Sequence, residues 1–119
     1  MIKMRYAKHG QAVSDFNARY VLERLISEAK KDFQRIMSYS TTNIFDLVML
    51  SVAEGKIDHT HVEFWFKGKT ITMDQFGRVV DDWPKGFLWN YGNIMEEILK
   101  AGFARQKEIS DAIEPKSDE

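Results

Sequence analysis

The pattern His59-x-His61-x-Glu63 is the part of the sequence that could most readily bind a metal ion. In an extended strand these alternate side chains point to the same face, about 6–7 Å from one to the next. Two neutral imidazoles and a carboxylate are ligands that zinc or iron accepts. One alternative is therefore a small metal-binding protein or metal-dependent hydrolase. The competing interpretation is a solvated strand face that begins in a loop.

Other patterns give weaker support for catalysis. Asp74, Asp81 and Asp82 could act as paired carboxylates in acid–base or Mg²⁺ chemistry. Turn formation explains Asp74 equally well, because Asp favours the first position of a turn and Gly77 follows it. The sequence has no glycine-rich phosphate loop and no serine nucleophile motif, and its lack of cysteine excludes a thiol nucleophile. We therefore predict no catalytic residue and no cofactor.

Lys30, Lys31 and Arg35 form a basic cluster at the end of the first predicted helix. They provide a second alternative, a nucleic-acid-binding module, although lysines there also complement the dipole at a helix C-terminus. The whole chain has 17 Lys and Arg against 18 Asp and Glu, for a net charge of -1. That balance removes a general attraction to nucleic acids or anionic membranes, so a protein partner is favoured.

Aromatic side chains concentrate late in the sequence, next to two carboxylates. Exposed aromatic residues with a polar rim are typical of protein interfaces. We therefore predict that six residues bind a partner protein: Asp81, Asp82, Trp83, Phe87, Trp89 and Tyr91. For Trp83 and Phe87 the competing interpretation is packing of the loop around Pro84 onto the sheet.

Hydrophobic periodicity predicts the elements that position these residues. Helices are expected near 14–34, over 44–53 and from Asn93 onward, and Gly102 could kink or break the last one. We expect Ser14 or Asp15 to cap the first helix and Gly55 to end the second. Strands are expected at 34–40, 61–67, 70–73 and 78–81, with a type II′ turn at Gly68-Lys69.

This order, α-β-α-β-β-β-α, predicts an α+β (α/β-like) fold with a mixed sheet of about four strands and three to four helices. A strand–helix–strand unit supplies a parallel pair and the hairpin supplies an antiparallel one. We expect a single domain over 1–113 and a flexible tail over 114–119. The first ten residues lack the apolar stretch of a signal peptide, and we predict a cytoplasmic protein.

The run GRVVDDWPKGF at 77–87 resembles the C-terminal signature of a family of predicted bacterial ATPases. These have an ABC-type core and are related to the ATPase parts of overcoming-lysogeny-defect nucleases and anti-phage systems. Segments 53–57, 62–66 and 71–74 fit the same register. Segment 36–43 corresponds to the family's switch strand, with Ser40 or Thr41 in place of its histidine. The resemblance covers about residues 33–99.

The resemblance implies a detached C-terminal half of a nucleotide-binding lobe that does not hydrolyse ATP by itself. The phosphate loop, the acidic magnesium strand and the signature segment of the family are absent from the sequence. We therefore predict a non-enzymatic interaction protein that pairs with an ABC-type ATPase or a nuclease, in phage–host defence or counter-defence. A strand without its usual neighbours would leave a sheet edge for the first helix, another chain or a second copy to cover.

Overall fold

The computed structural model describes residues 1–80 and 91–113, the latter range with backbone only at 91–95 and 113. Its strands are β1 (Ile2–Gln11), β2 (Arg35–Tyr39), β3 (Val62–Phe66) and β4 (Lys69–Ile71). Its α-helices are α1 (Asp15–Ala29), α2 (Asn43–Ala53) and α3 (Tyr91–Ile113), and a short 3-10 helix spans His59–His61. None of the described helices combines the length and apolarity needed to cross a bilayer.

The sheet has the strand order β2-β1-β3-β4. β1 pairs in parallel with both β2 and β3, whereas β3 and β4 form an antiparallel pair. The predicted α+β class, a four-stranded mixed sheet packed by three helices, is therefore confirmed.

The central strand β1 lies in a segment where no strand was predicted. Ile2 and Met4 are fully buried, while Lys3 and Arg5 point to the opposite face. Its charged residues conceal a short alternating pattern at the very start of the sequence. Because β1 lies between them, β2 and β3 run parallel without being neighbours.

The predicted strand at 78–81 is wrong in its described part, where only an isolated bridge joins Met73 to Val79. The turn interpretation of Asp74 is confirmed, because its carboxylate accepts hydrogen bonds from the backbone N–H groups of Phe76 (2.9 Å) and Arg78 (3.0 Å). Gly77 closes this turn at φ +78° against helix α2, where a Cβ would lie 2.5 Å from the Met49 carbonyl oxygen.

The hairpin turn occurs one residue earlier than predicted. Lys67 (φ 49°) and Gly68 (φ 78°) are its central residues, and Phe66 pairs with Lys69. Two successive positive φ angles are typical of a type I′ turn, whose twist matches the flanking strands, rather than of the predicted type II′.

The helix ends follow local capping signals. The Ser14 hydroxyl caps α1 by accepting from the Asn17 N–H at 3.3 Å, and Gly55 follows α2 at φ +82°, as predicted. α1 ends at Ala29, earlier than predicted, because the polar run after it supplies no apolar face. α3 starts at Tyr91 and continues through Gly102, where a Cβ would lie 3.2 Å from the Phe76 carbonyl oxygen.

α1 and α2 supply buried residues to the same core cluster on one face of the sheet. Phe45 of α2 lies at its centre, with ring-centroid distances of 5.0 Å to Phe64, 5.9 Å to Tyr6 and 6.3 Å to Tyr39. The opposite sheet face combines charged residues with Ile36 and Trp65, and Lys3 forms an ion pair with Glu63 across the strands at 3.1 Å. The core therefore anchors β1, β2 and β3 through one layer of helices.

Candidate interaction surface at the β2 edge

β2 is an edge strand whose inner side is paired only with β1. The Arg35 N–H donates to the Met1 carbonyl oxygen at 2.9 Å, so Arg35, Met37 and Tyr39 direct their backbone groups toward β1. Backbone groups alternate in direction along a strand. The backbone groups of Ile36 and the N–H of Ser38 therefore point away from β1. The end of β2 is covered on this side, because Gln11 also pairs with Tyr39 and its carbonyl oxygen accepts from the Ser40 N–H at 2.9 Å.

The middle of β2 is less protected than most edges, because its one charged residue, Arg35, forms an ion pair with Glu28. Charged side chains, proline, a bulge or very short length usually prevent edge strands from pairing with other chains. β4, the opposite edge, is three residues long and begins with Lys69. β2 is longer, and its outward-pairing position Ile36 is 64% exposed.

A groove of about 200 Å³ lies between β2 and helix α1. Val21 and Leu25 contribute apolar surface from α1, and Met37 and Tyr39 contribute it from β2. Arg24 and Glu28 of α1 and Arg35 of β2 add charged groups. We call this feature the edge groove; its described lining residues are Gln11, Val21, Arg24, Leu25, Glu28, Arg35, Met37, Ser38 and Tyr39.

The charge around the edge groove is mainly positive. Glu28 forms ion pairs with Lys31 (3.2 Å) and with Arg35 (3.7 Å), so one carboxylate faces two cations. Burial raises the pKa of the Tyr39 hydroxyl, and the positive charge of Arg24 opposes that shift. Arg24 therefore acts electrostatically on Tyr39 within the groove.

The residues predicted to bind a partner lie outside this surface. Residues 81–90, which include Asp81, Asp82, Trp83, Phe87 and Trp89, are outside the described part of the chain. Tyr91 is described only as the first backbone position of α3. Their predicted role stays a prediction.

His59, His61 and Glu63 are not arranged as the metal hypothesis requires. His59 and His61 belong to a 3-10 helix rather than to a strand, and only Glu63 lies in β3. Asp58 caps this turn by accepting from the Thr60 N–H (2.9 Å) and hydroxyl (2.7 Å), which lowers the pKa of its carboxyl group. Across residues 1–80 and 91–113, no group of three His, Asp or Glu side chains could hold a metal ion.

The basic cluster is partly neutralised. Lys31 and Arg35 both pair with Glu28, and the Lys31 ammonium group lies 5.7 Å from the Phe33 ring centroid. Lys30 is the C-cap residue of α1. The geometry therefore favours helix termination and local pairing over a continuous phosphate-binding surface.

Sequence reasoning missed Ile36 and Met37 as surface residues. The spacing of Phe33 and Ile36 after Leu25 and Ala29 continues the apolar stripe of the first predicted helix, and such a stripe indicates burial. Phe33 is instead 53% exposed and Ile36 is 64% exposed. The available signal was the absence of charge and proline at 36–39, but the position of this segment at an edge follows only from the strand order.

Comparisons of this chain with protein-family models, curated proteins and solved structures gave no match.

Proposed function

We propose that this chain is a non-enzymatic interaction protein that binds an extended segment of another polypeptide along β2. The observation that carries the proposal is the exposed middle of the β2 edge, where Ile36 is 64% exposed on one face of the sheet and a groove of about 200 Å³ lies on the other. Strand addition to a free sheet edge is an established way in which proteins bind peptides.

The backbone supplies the first part of the binding energy. The outward N–H and C=O groups of Ile36 and the outward N–H of Ser38 would pair with the backbone of the incoming strand, up to the point where Gln11 covers the edge. Each such hydrogen bond contributes about 0.5–1.5 kcal/mol net. Alternate side chains of the bound segment would enter the edge groove between Val21 and Met37, which selects apolar residues there.

Charge selects the kind of partner. Arg24 and Arg35 flank the apolar part of the edge groove, so acidic residues are favoured in the bound segment. A second copy is less suitable. In antiparallel pairing centred on Met37, Arg35 of each copy would lie opposite Tyr39 of the other copy. Arg35 would then come close to Arg24 of the other copy, and the two positive charges would repel each other. We therefore propose a different protein as the occupant, rather than a homo-oligomer.

The resemblance of 33–99 to ABC-type ATPases supports an ATPase or a nuclease as that partner. On this proposal the chain acts in phage–host defence or counter-defence in the cytoplasm, by occupying or completing a sheet of the partner.

A peptide selection tests the binding mode directly. Random peptides are selected on the immobilised protein, and their affinities are measured by fluorescence anisotropy, with amide hydrogen exchange of the bound complex. We expect selected peptides to alternate apolar and acidic residues and to protect the Ile36 and Ser38 amides. Ile36→Lys places a charge on the edge and should weaken binding by roughly tenfold or more, as charged edges do for strand pairing.

Val80→Lys is the matched control, because Val80 is an equally exposed aliphatic residue (63%) outside the edge. It should bind peptides as the wild type does. Equal losses in both variants, or peptide binding without protection of the two amides, would contradict the proposal. A dimer in analytical ultracentrifugation that Ile36→Lys dissociates would identify a second copy as the occupant and overturn the choice of partner.

A further inference from the structure

A crevice of about 340 Å³ opens where the regular pairing of β1 ends and at the carboxyl end of β3, and it shares no described lining residue with the edge groove. Its described lining residues are Tyr6, Ala7, Lys8, Ser40, Phe66 and Lys67. In open sheets with helical crossovers, ligands bind outside the carboxyl ends of the strands where the chain reverses its direction across the sheet. Here the chain moves from β1 to β2 on one side and then to β3 on the other, so β1 and β3 form that position.

Lys8 lines the crevice just after the regular pairing of β1 with β2 ends at Tyr6. The pairing of β1 with β2 shifts between Tyr6 and Gln11, both of which pair with Tyr39. The intervening residues, which include Ala7 and Lys8, leave the regular ladder. At Gly10 a Cβ would lie 2.6 Å from the Tyr39 backbone nitrogen, so the returning chain packs directly on β2.

Lys67, the second lysine of the crevice, has a positive φ angle, which lysine does not favour. Lys67 has φ 49°, at a type I′ turn position where Asn, Asp or Gly is normally preferred. Its ammonium group lies 5.2 Å from the Phe66 ring centroid, against the crevice wall. A residue that departs from local preference is a candidate for a functional role.

Together these groups match a phosphorylated small molecule. The two ammonium groups and the Ser40 hydroxyl can donate to phosphate oxygens, and none of the six described lining residues is acidic. The rings of Tyr6 and Phe66, 5.3 Å apart, supply an apolar wall for a planar or apolar group. The volume lies within the range of about 300–1,000 Å³ typical of small-molecule sites.

We propose that this crevice binds a small phosphomonoester, with Lys8, Lys67 and Ser40 holding the phosphate. The first turn of α2 contributes little, because the N–H of Ile44 donates to the Asn43 side chain and those of Phe45 and Asp46 donate to the Thr42 carbonyl oxygen. The affinity therefore depends on the two lysines.

Isothermal titration calorimetry with adenosine monophosphate, inorganic phosphate and adenosine tests the proposal, with backbone NMR shifts to locate binding. We expect the two phosphates to bind and to shift Ala7, Lys8, Ser40 and Lys67, whereas adenosine does not bind. Lys67→Asn should weaken phosphate binding roughly tenfold, the loss expected for one charge-assisted hydrogen bond. The same variant should fold at least as stably, because Asn suits a positive φ.

Lys8→Gln should weaken binding similarly, whereas Lys69→Gln is the matched control, an exposed lysine outside the described lining residues. No binding of either phosphate at about 10 mM, well above a millimolar dissociation constant, would overturn the proposal. An equal loss in Lys69→Gln, or shifts spread over other lysines, would also overturn it, because either result indicates nonspecific attraction.

Discussion

At the residue scale, Tyr39 and Arg24 connect the core to the proposed binding edge. Tyr39 is 3% exposed, its ring packs against Phe45, and its hydroxyl lies 3.6 Å from the Met37 sulfur in the edge groove. Burial raises the pKa of its hydroxyl above 10.0, and Arg24 favours the ionised form. Because the pKa is raised, the Tyr39 hydroxyl keeps its proton in the folded state at a pH just above 10, where the same hydroxyl in the unfolded chain has lost it. Stability from Tyr39 is therefore complete below about pH 10 and decreases as the pH rises through the folded-state pKa.

Arg24→Gln should raise the pKa of Tyr39 further, because the nearby positive charge is lost. The measurement is an alkaline titration of tyrosinate absorbance, with Tyr39→Phe subtracted to isolate this hydroxyl. Arg19→Gln, an exposed arginine on the same helix, should leave the titration unchanged. A lower pKa of Tyr39 in Arg24→Gln would contradict the assigned interaction.

Tyr39→Phe should also reduce the decrease in the free energy of unfolding between about pH 10 and the folded-state pKa of Tyr39.

At the element scale, α2 is the helix that fixes the sheet. Ile44, Phe45, Val48, Met49 and Val52 are all fully buried, which agrees with the prediction that this helix is apolar on most sides. Phe45 contacts aromatic rings from β1, β2 and β3. One side chain thus connects the three parallel strands, including the edge strand of the proposed interaction surface.

Phe45→Ala should lower the free energy of unfolding by about 3–5 kcal/mol, because it removes a buried ring and leaves a cavity. Urea denaturation followed by circular dichroism measures the change. Phe16→Ala is the control, since Phe16 is 95% exposed on α1 and its loss should cost no more than about 0.5 kcal/mol. Comparable losses from the two substitutions would show that Phe45 does not hold the helix on the sheet.

At the scale of the whole molecule, β1 joins the two halves of the sheet. It pairs with β2 through Ile2 to Tyr6 and with β3 through Ile2 to Arg5. Burial decreases along α3: Ile98 is 1% exposed, but most side chains beyond Arg105 are exposed. Local stability should therefore be highest in β1 and lowest toward the end of α3.

Native-state hydrogen exchange should show this gradient. Amides of Lys3 to Arg5 should exchange only through global unfolding, whereas those of 106–112 should exchange through local fraying. Met4→Ala, at a fully buried position, should accelerate exchange in all described strands while leaving 106–112 nearly unchanged. Slower exchange in 106–112 than in β1 would contradict the central role of that strand.

Local features were well predicted from sequence, since their causes lie within a few neighbouring residues. The Ser14 cap, the Gly55 helix end and the alternating pattern of β3 all depend on short-range geometry. The prediction was less reliable where two patterns overlap. The charges of β1 concealed its alternation, and the apolar spacing of Phe33 and Ile36 imitated a helix that ends at Ala29.

The sequence by itself determined the fold class, the helices of the first half and the absence of thiol chemistry. Only the tertiary structure decided that β1 lies between β2 and β3, which makes β2 an edge and brings Lys8, Ser40 and Lys67 to one crevice. The physical reason is that strand order depends on pairing between segments distant in sequence. Alternation shows which residues share a face, but it does not specify which strand lies beside which.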